Sequence, residues 1–87
     1  MRPGEVELHE LGLTRNIVAI VGEHAGARKV KRVRLSIGPK ACVEQQALSF
    51  CFELAAQGTV LEGAVLEFAV AEGDTFLIKE FEIEEAA

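Results

Sequence analysis

The chemistry-bearing side chains in this 87-residue chain are few. There are two histidines, His9 and His24, and two cysteines, Cys42 and Cys51. His9 stands next to Glu10, which sets an imidazole beside a carboxylate. Both groups ligate divalent metals, and the imidazole suits the later first-row ions. The plain alternative for a lone histidine ahead of a helix is an ordinary surface residue. His24 lies about 22 Å from His9 along a continuous helix at ~1.5 Å per residue, so one ion cannot bridge the two. It reads as a helix-end histidine that favours the C-terminal dipole.

Cys42 follows Pro39-Lys40 in a turn, where a nearby cation lowers a thiol pKa. No histidine partners it in sequence, so a nucleophilic role has no support. Cys51 sits in Phe50-Cys51-Phe52, which reads as core. If the two cysteines share one helix, they stand about 13 Å apart, beyond the ~7 Å limit for a disulfide. Both are expected as thiols. Two cysteines also fall short of the four that an all-cysteine zinc ribbon needs, so no structural zinc is expected. The chain has no Gly-rich phosphate loop, nucleophile elbow or HExxH. Nothing in it assembles an acid, a base and a nucleophile, and it is not expected to be an enzyme.

The elements that must position these groups follow from periodicity. Pro3-Gly4 and the alternation Glu5-Val6-Glu7-Leu8 suggest a flexible extension over residues 1–8 with a short strand. The spacing of Leu13, Ile17, Ile20, Val21 and His24 predicts a helix from about Leu13 to Ala25, with Gly12 near its start and Gly26 as its stop. Lys29 to Ile37 reads as a strand with Val33, Leu35 and Ile37 on one face and Arg32, Arg34 and Ser36 on the other. Gly38-Pro39 ends it.

A second helix is predicted from about Val43 to Gln57, stopped by Gly58, with Glu44 favouring its N-terminus. Ala64–Val70 and Phe76–Glu84 read as strands, and Glu72-Gly73-Asp74 between them as a hairpin turn. The expected fold class is α+β, a two-layer α/β arrangement. A small mixed sheet of three main strands, with a short N-terminal fourth, lies under two helices in the order (β)-α-β-α-β-β.

Charge narrows the partners. The net charge is −5, which argues against a general nucleic-acid binder. Six of the nine basic residues fall in Arg28–Lys40, and eight of the fourteen acids follow Leu61. Glu80, Glu82 and Glu84 are expected on a solvated face opposite Arg32 and Arg34. No apolar run approaches ~18 residues, so no membrane span is expected. The start lacks the apolar core of a signal peptide, and a cytoplasmic setting is the expectation.

Three segments together resemble the HypA family of hydrogenase nickel-incorporation proteins. They are His9-Glu10-Leu11-Gly12-Leu13 with Ile17-Val18; Val30-Lys31-Arg32-Val33-Arg34-Leu35-Ser36-Ile37-Gly38; and Val43-Glu44 through Ala47-Leu48, Phe50 and Phe52 to Gly58-Thr59, Leu61-Glu62-Gly63-Ala64 and Leu66-Glu67. The tail Leu77-Ile78-Lys79-Glu80-Phe81-Glu82-Ile83-Glu84 is similar to the family's closing strand. The resemblance implies one nickel-binding-type domain over residues 9–87.

It further implies Ni(II) held at His9 and Glu10, with delivery to a nickel-enzyme precursor beside a HypB-type GTPase. Two departures bear on this. Family members carry a zinc ribbon between the last two strands, where this chain has only the Glu72–Thr75 turn. They also begin Met-His-Glu, whereas eight residues precede His9 here. The expected site is therefore weak and transient, with amide nitrogens of Leu8 and His9 as further donors. The alternative is an interaction module that keeps the fold without metal. A strand at Val6–Leu8, exchanged between protomers, is a route to a homodimer.

Overall fold

The computed structural model describes the backbone of residues 3–85, and side chains from Glu10 onward. It contains α1 (Pro3–Ala25), β1 (Val30–Ile37), α2 (Gln45–Ala56), β2 (Val65–Val70) and β3 (Phe76–Ile83). The α+β class stands, with three strands in the order β2-β1-β3. The expected N-terminal strand does not form. Residues 5–8 lie within α1, which starts at Pro3, ten residues ahead of the expected start at Leu13. A four-residue alternation is a weak strand signal. Proline suits a helix's first turn, and the Glu- and Leu-rich stretch after it propagates the helix through Gly12. This also removes the basis for strand exchange at Val6–Leu8.

The hairpin expectation fails for a topological reason. β1 pairs with β2 in parallel, Val33 opposite Leu66 and Leu35 opposite Phe68. It pairs with β3 antiparallel, Val33 opposite Phe81 and Leu35 opposite Ile78. β2 and β3 therefore flank β1 rather than each other, and residues 71–75 must cross over the end of β1. Ala71 N–H donates to Ile37 O (3.1 Å), Gly38 N–H to Thr75 O (2.8 Å) and Lys40 N–H to Gly73 O (2.8 Å). Gly38 lies directly beneath. A Cβ there would stand 2.3 Å from Gly73 O and 2.6 Å from Glu72 O.

The core lies between the sheet and the helices. Ile17, Val18 and Val21 of α1 pack with Val33, Leu35 and Ile37 of β1, with Leu48, Phe52 and Ala56 of α2, and with Leu61. The buried side of α1 is turned from the expected stripe. Glu10, Thr14, Ile17, Val21 and Ala25 are inside, while Ile20 is 48% exposed and His24 is exposed. Phe50, expected in the core, is 62% exposed, and its neighbours Cys51 and Phe52 are buried. A helix turns about 100° per residue, so three consecutive side chains cannot share one face.

The other sheet face is a charge ladder, as its residue types suggested. Arg32 pairs with Glu67 (3.1 Å) and Glu82 (3.2 Å), and Arg34 with Glu67 (2.9 Å) and Glu80 (2.7 Å). Glu67 of β2 was the missed member. The hydrogen bond from Arg34 to Glu67, then the charge of Glu80, raises the guanidinium pKa above its usual value.

Candidate metal site at the junction of the two helices

α2 begins with Glu44 in extended backbone (φ −100°, ψ 118°). Its own carboxylate accepts from Gln46 N–H (3.1 Å) and Ala47 N–H (2.8 Å). This satisfies two of the donors that a helix start leaves without partners. The expected start near Val43 is thus displaced by two residues, because Glu44 caps the helix rather than entering it.

Glu10 reaches the same place from the opposite helix. Its Oε2 accepts the Glu44 backbone N–H at 2.7 Å, joining residues 34 apart in sequence. The Glu10 side chain is fully buried, and its Oε1 has no hydrogen-bond partner. Thr14, one turn on, is also fully buried and donates its hydroxyl to Leu11 O (2.9 Å). The polar end of the α1 stripe is therefore the contact with the α2 N-terminus. Helix spacing from Ile17 and Val21 back through Thr14 to Glu10 carries that signal in sequence, although the stripe turns polar at this end.

The backbone of His9 is helical, and its side chain lies outside the described residues. Inside α1 the amide N–H groups of Leu8 and His9 belong to the helical ladder, each bonded one turn back. They are not available as ready nitrogen donors. The other two candidates are elsewhere. His24 stands in the last turn of α1, where a cationic ring favours the dipole. Cys42 is exposed, with φ 58°, and its Sγ lies 3.5 Å from Lys40 O; Cys51 is a buried thiol on α2. Among the described residues, no three His, Cys, Asp or Glu side chains converge as a metal-binding group. No helix among them is long and apolar enough to cross a membrane.

A family model described as hydrogenase/urease nickel incorporation, metallochaperone, hypA, matches residues 8–83. Hydrogenase maturation factor HypA of Trichormus variabilis is 58% identical over 60 residues, covering 69% of this chain and 53% of its own length. The protein of that name from Klebsiella pneumoniae strain 342 is 43% identical over 65 residues, covering 71% of this chain and 57% of its own. The chain thus spans about half the length of these relatives. The solution structure of the Ni metallochaperone HypA from Helicobacter pylori superposes with a TM-score of 0.65 at 16% identity, over 87% of this chain and 93% of that one. At that identity the likeness establishes the fold.

Proposed function

The chain belongs to the HypA family, and on that premise we propose that it binds Ni(II) and assists its delivery to a hydrogenase precursor. The observation that carries this reading is the match over residues 8–83, which begins beside His9-Glu10 and spans every later element of the fold. It acts as a carrier, not a catalyst. It works in the cytoplasm beside a GTPase of the HypB type.

His9 supplies the imidazole. Glu10 supplies Oε1, the carboxylate oxygen that Glu44 leaves unengaged. The nickel is cargo, so a weak site suits the role. Two donors on adjacent residues, with the neighbouring amides held in a helix, give a weak, exchangeable site. The domain functions without structural zinc, since five residues join β2 to β3 and the chain has only two cysteines.

Calorimetric titration of Ni(II) into wild type and His9→Ala tests the proposal. Loss of the binding isotherm in the variant is expected, and identical curves overturn the assignment. Elemental analysis of the purified protein checks the zinc statement, with zinc near one equivalent against it.

A second reading has its own observation. Glu10 is already spent on the α2 N-terminus, and α1 continues through His9. That arrangement suits a protein-interaction module on the HypA fold that does not handle metal. Capture of a hydrogenase precursor that depends on nickel supports delivery, and metal-independent capture supports the module.

A further inference from the structure

α2 carries few polar groups for a helix with one side in water. Of its twelve residues only Glu53 is charged, and only Gln45, Gln46 and Ser49 are otherwise polar. Leu48, Cys51, Phe52 and Ala56 turn inward. Gln46, Phe50, Glu53, Leu54 and the C-cap Gln57 are exposed. At about 100° per residue these five share one outer stripe, with Phe50 near its middle. Phe50 is 62% and Leu54 47% exposed. A helix that is apolar on both sides ordinarily has neighbours on both sides.

The charge around this stripe has one sign. Residues 41–78 hold no lysine or arginine and six acids: Glu44, Glu53, Glu62, Glu67, Glu72 and Asp74. This segment carries −6 and the rest of the chain +1, against −5 for the whole. Glu67 is taken up by Arg32 and Arg34, and Glu44 caps α2. Glu53 and Glu62 make no salt bridge among the described residues, and Glu62 holds only a long bond from Gly58 N–H (3.4 Å). Both line the groove between the end of α2 and the 61–64 turn.

We propose that the outer face of α2 seats a basic amphipathic helix of a partner protein. Its apolar side chains pack on Phe50 and Leu54, and its lysines or arginines meet Glu53 and Glu62. The stripe runs about 17 Å, which three turns of helix cover. α2 has no free backbone groups along this face, so a strand laid on it would bury unpaired N–H and C=O groups, whereas a helix satisfies its own. Nucleic acid and an anionic lipid surface are repelled by the same acids. The α2 of a second copy brings no base. The face lies apart from His9 and Glu10, so the inference does not depend on the nickel reading.

The full chain without added metal is titrated with an 18-residue Leu/Lys amphipathic peptide carrying one tryptophan, and with its Leu/Glu counterpart. The chain has no tryptophan or tyrosine, so the peptide's fluorescence reports alone. The Leu/Lys peptide is expected to bind, with amide shift changes centred on residues 46–57 and 61–64, and the Leu/Glu peptide is not. Phe50→Ser should weaken binding about tenfold or more at unchanged circular dichroism. The double variant Glu53→Lys/Glu62→Lys should exchange the preference, losing the Leu/Lys peptide and gaining the Leu/Glu one, which a damaged fold cannot do. Absence of binding, binding indifferent to Phe50→Ser, or equal binding of the two peptides to the wild type overturns the proposal. So do shifts at Phe50 that follow chain concentration without peptide, which mark a second copy as the occupant. Phosphatidylcholine vesicles binding through Phe50 in place of the peptide overturn it as well.

Discussion

Gly38→Ala is the most demanding test of the fold, because one methyl group probes the chain crossing that defines the topology. The added Cβ would stand 2.3 Å from Gly73 O, 2.6 Å from Glu72 O and 2.8 Å from Glu72 C. Ordinary contact begins at 3.4 Å, so the carbonyl must retreat by 3.4 − 2.3 = 1.1 Å. The obstacle is backbone, which cannot swing aside as a side chain does.

That retreat breaks or stretches the Gly38–Thr75 and Lys40–Gly73 bonds, both 2.8 Å. Two main-chain bonds contribute about 1–3 kcal/mol together, and overpacking adds about 1–3 kcal/mol. A loss near 3–4 kcal/mol is a large part of the roughly 4–13 kcal/mol expected for a chain this long. At about 4–8 °C per kcal/mol, Tm falls by roughly 12–32 °C. Urea and thermal unfolding followed by circular dichroism measure it, with amide exchange at Gly38 and Lys40 locating the damage. A loss below about 0.5 kcal/mol would refute the crossing, since glycine would then serve only to end a strand.

Five further substitutions test separate joints. Gly12→Ala should raise stability by about 0.5–1 kcal/mol in the same urea titration, because the site is helical and open; a loss would contradict a continuous α1. Glu10→Ala should cost about 1–3 kcal/mol, since it leaves the Glu44 N–H without its acceptor. Glu10→Gln keeps an acceptor and should cost less, so equal losses would contradict the capping role. Phe52→Ala should cost about 3–5 kcal/mol and Phe50→Ala less than about 1 kcal/mol, as their exposures of 2% and 62% require.

Much of the fold was legible because its signals are local and periodic. β1 alternates cleanly between Val33, Leu35, Ile37 and the arginines, and its burial follows that alternation. The acids of β3 meet Arg32 and Arg34 as their spacing suggested. What was not legible depends on pairing partners. Glu72-Gly73-Asp74 makes a tight turn, but a turn signal does not say whether its two strands are neighbours. The insertion of β1 between them is a tertiary choice. Gly38 records it, yet beside Pro39 it reads only as a strand end.

The site was legible in part for a related reason. His9-Glu10 is visible as a dipeptide, but the bond from Glu44 to Glu10 spans 34 residues. Periodicity from Ile17 and Val21 placed Glu10 and Thr14 on the inner face, although polar side chains there do not register as a stripe. The start of α1 was lost to a four-residue alternation that the helix overrode.

We propose that His9, with Glu10, holds Ni(II) in this HypA-family chain. Isothermal titration of Ni(II) into the wild type, His9→Ala and Glu10→Gln tests it most directly. A weak isotherm is expected for wild type, none for His9→Ala, and a reduced one for Glu10→Gln with the fold retained. Identical isotherms for wild type and His9→Ala, at matched far-ultraviolet circular dichroism, would contradict it.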